Sequence, residues 1–445
     1  MPTLGLSMIV KNGAKSLRSC LESVRGVVSE IVIADTGSTD GSLEIARESG
    51  AVVFSIPWEN DFARARNAAL EKMTTRWVLV LDADEELDAR ARHSLPKLLR
   101  APKVGGYIMP VRNYLPLRHG SVNGSRAVAN DGRNPRAADA PSYAEHTVVR
   151  LFRNHPQVRF SGCIHEAVGP QIAALGLAMP QISLCIHHFG YLASKADHEK
   201  KAELYLQLLR AKVEQQPANP LAWMELAHQL HEPFHRNQEA LECLDRALAL
   251  DPHLAGAWFL AGSAFLELQR DQEALVALDR AALEGALPAE NEHARGDALH
   301  NLGRFPEARD AYRRVLEVAG DDPQVESKLG YTEVRIGEID SGLARMRSAI
   351  IAMPCAAEFH ERLIKSCLVA NRMEEAALAA EQFAEIVRHP KTYLRAAAIR
   401  ASMQQHSQAH SLILRGLETF PESAELRCAA AELALQAHAG AAARG

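Results

Sequence analysis

Arg76-Trp77-Val78-Leu79-Val80-Leu81-Asp82-Ala83-Asp84-Glu85-Glu86-Leu87-Asp88 is the stretch that decides how the first half of the chain folds. Its apolar run, Trp77 to Leu81, reads as a strand buried on both faces, as in a parallel sheet covered by helices. Ligands of such sheets bind beyond the carboxyl ends of the strands, which is where the acidic cluster falls. Alternation along an extended chain points Asp82 and Asp84 the same way, so two hard oxygen ligands could share one divalent cation and its bound phosphates. The competing reading is a solvated acidic turn that caps the next helix.

Outward from this stretch, Gly5 to Val10 reads as a strand, Ser16 to Val24 has helical spacing, and Ile31-Val32-Ile33-Ala34 forms a second buried strand ending on Asp35. Thr36-Gly37-Ser38-Thr39-Asp40-Gly41 follows as a tight turn. Gly37 and Gly41 permit positive φ and close approach by a ligand, and Ser42 is placed to cap the helix through Ile45 and Ala46. A third strand, Val52 to Ile56, and a helix from Phe62 to Met73 lead back to Trp77. This alternation specifies an α/β, doubly wound sheet built of right-handed crossovers. Neither a Gly-x-Gly-x-x-Gly fingerprint nor a Walker lysine is present, which excludes the dinucleotide and P-loop readings.

Composition narrows the function further. A formal charge of −5 over 445 residues, with 5% aromatic residues, provides neither a basic field nor stacking platforms for nucleic acid. The seven cysteines, Cys20, Cys163, Cys185, Cys243, Cys355, Cys367 and Cys428, show no Cys-x-x-Cys pair, which fits reduced thiols and argues against a zinc or disulfide framework. The first strand opens the chain almost at once, leaving no room for a secretory signal, and no apolar run approaches the roughly 18 residues of a membrane span. The expectation is a cytoplasmic protein of two or three domains.

At this point four motifs in order resemble one family. Leu6-Ser7-Met8-Ile9-Val10-Lys11-Asn12, Glu30 to Gly41, Asp61-Phe62 with Ala65-Arg66-Asn67, and Leu81-Asp82-Ala83-Asp84-Glu85 look like an inverting family-2 glycosyltransferase of the nucleotide-diphospho-sugar transferase fold. The family usually carries Glu after Lys-Asn, where this chain has Gly13. The resemblance implies a nucleotide-diphospho-sugar donor, a UDP-sugar first among them. It places Asn12 in the nucleotide-sugar site, Asp35 at the nucleobase or ribose, Arg66 and Asn67 beside the nucleotide, Asp82 at the ribose, and Asp84 on Mn(II) or Mg(II). A cation suits this chemistry because the leaving diphosphate develops negative charge.

Thr147 to Arg153, Val158 to Glu166, and Ile182 to Ile186 followed by His187-His188-Phe189-Gly190-Tyr191 look like the later motifs of the same group, so the resemblance covers roughly the first 190 residues and defines a catalytic domain over 1–194. Glu166 is the candidate general base; the competing reading is a carboxylate paired with Arg150 or Arg153. His165 could assist at the phosphates. His188 is the candidate imidazole ligand, which would tilt the site towards Mn(II), or else a structural histidine. Arg150 and Arg153 could neutralise the leaving diphosphate or be ordinary surface charges. Between about Pro116 and Tyr143 the apolar period dissolves, which reads as a long loop: a lid, an acceptor flap, or disorder.

The second half is periodic. Ala240, Ala274, Ala308, Gly342 and Ala376 recur every 34 positions, as do Gly262, Gly296 and Gly330. Trp258, Gly262, Phe265, Ala274, Leu278 and Ala281, bounded by Pro252 and Pro288, nearly complete one tetratricopeptide repeat. The reading is a connecting helix over 195–217, an all-α solenoid of about six repeats over 218–437, and a disordered tail over 438–445. Such arrays form a curved superhelix with a groove suited to an extended chain. A catalytic domain fused to one resembles bacterial glycosyltransferases that modify peptides or proteins, with a hydroxyl or thiol as acceptor. Two other readings stay open: an enzyme acting on a lipid-linked or surface glycan whose repeats serve homo-oligomerisation or docking, and a non-catalytic scaffold. Intact Asp35, Asp82, Asp84, Glu166 and His188 speak against the scaffold.

Overall fold

In the computed structural model, which describes residues 3–117, 121–122, 125–132 and 134–442, the N-terminal apolar runs become the parallel part of one sheet. The elements in order are β1 (Leu4–Val10), α1 (Ala14–Ser23), β2 (Glu30–Asp35), α2 (Ser42–Glu48), β3 (Val52–Ser55), α3 (Phe62–Glu71) and β4 (Trp77–Val80). β1 pairs in parallel with both β2 and β4, and β2 with β3. Leu79 and Leu81 pack on one face with Leu6, Met8, Leu17 and Cys20, while Val78 and Val80 pack on the other with Ala69 and Leu70. Both faces are dry, which is why the run does not alternate with polar residues.

Past β4 the sheet becomes mixed. β5 (Glu85–Leu87), α4 (Ala91–Leu98), β6 (Gly106–Leu115), β7 (Ser121–Val122), β8 (Ser125–Arg126), β9 (Val128–Ala129), β10 (Ser142–Arg153), α5 (Gly169–Ala174), β11 (Ile186–His188) and α6 (Lys195–Gln215) follow. The nine-stranded sheet has the order β3-β2-β1-β4-β10-β6-β11-β5, with β9 beside β10. β10 runs antiparallel to β4 and β6, and β11 antiparallel to β5. The parallel, doubly wound pattern therefore covers four strands, and the later motifs add strands of both directions.

Val158 to Glu166, one of the later motifs, turns through Gly162 and through His165, whose φ is 55°. Two local expectations are corrected. Ser42 is not a cap but the first helical residue; its hydroxyl accepts from the Gly13 backbone N–H at 2.8 Å and is bonded to Asp40, tying the first two strand ends together. The 116–143 segment is structured where it is described, carrying β7 to β9 and a one-turn helix at Pro135–Ala137, with Ala137 and Ala140 packed on Tyr114 and Phe189. Residues 118–120, 123–124 and 133 of that segment lie outside the described residues.

The chain divides into two units, Met1–Pro217 and Ala218–Gly445, so α6 belongs with the sheet. The second unit is a run of helical hairpins: α7 (Pro220–His231) with α8 (Asn237–Leu250), α9 (Ala255–Glu267) with α10 (Asp271–Leu283), α11 (Pro288–Asn301) with α12 (Phe305–Ala319), α13 (Pro323–Arg335) with α14 (Ile339–Ala352), α15 (Ala357–Val369) with α16 (Met373–Val387), and α17 (Pro390–Ser402) with α18 (His406–Thr419), then α19 (Ala424–Ala442). Residues 443–445 of the expected tail lie outside the described residues.

The period has a physical cause at each contact. Ala240, Ala274, Ala308 and Ala376 are fully buried. A Cβ added to Gly262 would sit 2.5 Å from Leu278 Cγ, and one added to Gly330 would sit 2.6 Å from the Gly342 carbonyl oxygen. The helices of a hairpin approach too closely for anything larger. Each hairpin also turns through one left-handed residue: His235, Gln269, Gly303, Gly337, Asn371 and Gln404 all have positive φ. Just beyond four of these turns an arginine pairs with a glutamate one turn into the next helix, at Arg236–Glu239, Arg270–Glu273, Arg304–Glu307 and Arg372–Glu375.

Candidate active site

Strand β4 ends at Val80, and residues 82–84 form a turn rather than a continued strand. The extended alternation expected to aim Asp82 and Asp84 at one cation is therefore not present, and the two carboxylates meet different partners. Gly13, standing where the resembling family carries Glu, has a steric reason: an added Cβ would lie 2.8 Å from Ala83 Cβ, between the two aspartates.

Asp82 is held by arginines. Arg66 Nη2 donates to its Oδ1 at 2.7 Å, and Arg150 Nη2 donates to its Oδ2 at 3.1 Å. Arg66 Nε also donates to Glu166 Oε1 at 2.5 Å, and Arg150 Nη2 to Glu85 Oε1 at 3.0 Å. Burial disfavours charge at Asp82, but Arg66 and Arg150 outweigh it and hold the carboxyl far below the usual range. At Glu85 burial wins, and its carboxyl is raised despite Arg150. Arg66 Nη1 and Arg150 Nε remain buried without a hydrogen-bond acceptor. Two unmatched guanidinium donors beside one carboxylate cluster leave this corner short of an anion.

Asp84 faces an imidazole. Its Oδ2 lies 3.4 Å from His188 Nε2, and the chain is pinned there by the Phe189 backbone N–H donating to the Asp84 carbonyl at 3.0 Å. His188 Nδ1 is 2.7 Å from Asn113 Oδ1, an atom that can only accept, so Nδ1 carries the hydrogen; burial would lower the imidazole's pKa, but Asp84 opposite Nε2 raises it. Asn113 is fixed in turn by donating to the Ala144 carbonyl and to His146 Nδ1. An imidazole whose far nitrogen donates to a second, fixed group is the arrangement seen for metal-bound histidine. Gly190 leaves the room, since a Cβ there would lie 2.5 Å from His188 Nε2 and 2.7 Å from Asp84 Oδ2. A carboxylate oxygen and an imidazole nitrogen this close fit a divalent cation of the Mn(II) or Mg(II) kind.

The remaining candidates fall into two groups. Asp35 and Asn12 shape the turn after β2: Asp35 accepts from the Gly37 and Ser38 backbone N–H groups, and Asn12 Oδ1 accepts from that of Thr39 at 2.8 Å. Glu166 is ion-paired, with Arg66 rather than Arg150 or Arg153. His165 meets Tyr205 edge-on at 6.2 Å. Two candidates are corrected. Arg153 stands opposite Trp77, at the far end of β4 from Asp82; it stacks on that indole and donates to the Val104 and Ala101 carbonyls. Asn67 uses both ends of its amide to clamp the Phe160 backbone, at 2.9 and 2.8 Å, which fixes the turn before Glu166.

Sequence reasoning missed Asn113, Lys201 and Tyr205. Asn113 had a signal, a lone amide in the otherwise buried strand β6. Lys201 and Tyr205 stand one turn apart on α6, with Lys201 Nζ 5.6 Å above the Tyr205 ring. Burial would lower the Lys201 ammonium, but Tyr205, Asp84 and Asp82 raise it, so α6 brings a positive charge towards the acidic turn.

Comparison with known proteins agrees with this architecture. Residues 6–144 match the model of Glycosyl transferase family 2, and residues 234–291 and 293–322 match tetratricopeptide repeat models. A TPR repeat-containing protein of Synechococcus elongatus is 33% identical over 215 residues, 47% of each chain. The SPbeta prophage-derived glycosyltransferase SunS of Bacillus subtilis is 24% identical over 249 residues, 56% of this chain and 53% of that one. The lipopolysaccharide core biosynthesis glycosyltransferase LpsC of Rhizobium meliloti is 36% identical over 123 residues, 26% of this chain and 45% of that one. The chain thus spans about half the length of the curated relatives it matches. Among the described residues no helix is long and apolar enough to cross a membrane. The chain joins a family 2 glycosyl transferase domain to a run of tetratricopeptide repeats.

Proposed function

We propose that the protein is a metal-dependent inverting glycosyltransferase that moves a sugar from a nucleotide-diphospho-sugar, a UDP-sugar first among the candidates, to a hydroxyl or thiol on a peptide or protein presented by the repeats. The observation that carries the reading is the Asp84–His188 pair, preorganised by Asn113 at the end of the strand that the family match covers. Mn(II) or Mg(II) held there would neutralise charge as it develops on the leaving diphosphate. Arg66, Arg150 and Lys201 add positive charge on the same side, and the unmatched Arg66 and Arg150 donors agree with an anionic substrate. Asn12 and Asp35 border the nucleotide by shaping the turn after β2. Glu166, aimed by Arg66, takes the proton of the attacking acceptor, with His165 beside it; a positioned base contributes typically about 10²–10⁴-fold.

The peptide acceptor rests on the repeats, which offer a surface for an extended chain. A second acceptor class is favoured by the likeness to LpsC, whose name ties it to lipopolysaccharide core biosynthesis. Incubating the protein with Mn(II), the donor it hydrolyses, and either candidate peptides or lipid-linked glycans separates the two. A hexose-sized mass shift on peptide supports the first reading, and one on glycan alone replaces it with the second.

A further inference from the structure

The ribbon of β5 and β11 has two faces, and only one looks at Asp84. Ile186 pairs with Leu87, His187 with Glu86 and His188 with Glu85, and the Asp88 backbone N–H donates to the Cys185 carbonyl at 3.1 Å. Alternation puts Ile186 and His188 on one side, Cys185 and His187 on the other. On that other side Cys185 Sγ lies 3.4 Å from Asp88 Oδ2 and 3.6 Å from His187 Nε2, and the three ligand-capable atoms fall within 4.8 Å of one another. Asp88, Cys185 and His187 are 8, 2 and 7% exposed.

We propose that Asp88, Cys185 and His187 form a zinc site, separate from the Asp84–His188 pair and independent of the reading of that pair. Tetrahedral zinc binds sulfur at about 2.3 Å and imidazole nitrogen at about 2.0–2.1 Å, which sets neighbouring ligand atoms roughly 3.3–3.6 Å apart. The two Cys185 distances meet that geometry before any ion is added. The outer partners are in place as well. The Tyr114 hydroxyl lies 2.8 Å from His187 Nδ1 and can accept its hydrogen, which turns the Nε2 lone pair towards Cys185. Arg90 grips Asp88 from outside, with Nε 3.0 Å from each carboxylate oxygen, and its side chain is 58% exposed, so it can swing off Oδ2 and keep Oδ1. On binding, the Cys185 S–H bond breaks, its proton leaves to solvent, and the sulfur's electron pair forms the bond to zinc. Thiolate and carboxylate then balance the charge of the ion. The ion would fasten the end of β5 to the start of β11, the register that sets His188 opposite Asp84.

The test uses the full chain, stripped of metal with a chelator and titrated with Co(II). Wild type is expected to develop a thiolate-to-cobalt charge-transfer band that saturates at one equivalent and is bleached by Zn(II). Asp84→Asn is expected to keep the band, because its site has no sulfur, and Cys185→Ser to lose it. Should Cys185→Ser fail to fold, His187→Gln retains the thiol and is expected to weaken cobalt binding at least tenfold. Absence of the band in wild type, its survival in Cys185→Ser, or unchanged affinity in His187→Gln would overturn the proposal and leave a buried cluster in which the thiol only donates to Asp88.

Discussion

Asp82 and Asp84 stand two residues apart in one turn, and their surroundings are opposite. Asp82 is neutralised from within by Arg66 and Arg150, which also hold Glu166 and Glu85. Among the described residues no guanidinium pairs with Asp84, which instead faces His188 across 3.4 Å. The first half of the motif is therefore built as an ion-paired strut and the second as a carboxylate facing an imidazole. Removing the strut should damage the fold, whereas removing the ligand should damage only the chemistry.

The largest expected effect follows from that division. Asp84→Ala should lower metal-dependent turnover by on the order of 10³-fold, about 4 kcal/mol of transition-state stabilisation, while leaving the unfolding midpoint near that of wild type. If turnover and stability fell together, the division between strut and ligand would collapse. Arg66→Ala should lower stability as well as turnover, because Arg66 also aims Glu166. It strands the mostly buried Glu166, leaves Asp82 with Arg150 alone, and should cost roughly 3–5 kcal/mol in urea unfolding, since one buried carboxylate loses its partner. A loss under 1 kcal/mol would mean the network is solvated and not a strut.

Two smaller effects sharpen the imidazole side. Asn113→Leu removes the acceptor that fixes the His188 tautomer and should weaken Mn(II) binding about 10–100-fold by calorimetric titration, the usual range for such outer partners. Gly190→Ala should weaken the same binding by a lesser factor, because His188 can shift slightly to admit the methyl; unaltered affinity in both variants would take His188 out of the metal site. The smallest effect is on acid stability. The Asp82 carboxyl is held far below its unfolded value of about 3.9, so its contribution is complete above that value and is lost as pH falls through and below it. Wild-type melting temperature should drop below about pH 4, and Asp82→Asn, already destabilised, should show a flatter acid limb.

The solenoid and the sheet differ in what a sequence reveals. In the repeats each small residue answers a contact that recurs, so Gly262 against Leu278 and Gly330 against Gly342 were legible as a period. The recurrent arginine–glutamate pairs and left-handed turns repeat at the same spacing and went unread, because His235, Gln269 and Gln404 give no chemical hint of positive φ. In the sheet the strands up to Trp77 were legible from apolar runs alone. The later strands were not: β11 has three residues, and its pairing with β5 depends on chain segments far apart in sequence.

The site divides the same way. Asp84 and His188 were carried by motif and are brought together. Arg153 shares its motif with Arg150 yet lies at the wrong end of the sheet, since three residues along a strand span about 10 Å and Arg153 stands opposite Trp77. Cys185 was set aside for lack of a Cys-x-x-Cys partner, whereas its neighbours Asp88 and His187 come from strand pairing and alternation, which spacing in one segment does not encode.

The most direct test of the account is the release of nucleoside diphosphate from a panel of nucleotide sugars by the purified chain with Mn(II), comparing wild type with Asp84→Ala. Metal-dependent release from one donor, abolished in the variant while its fold is retained, is the predicted result. No release and no metal-dependent nucleotide binding with any donor, or release that survives loss of Asp84, would contradict it.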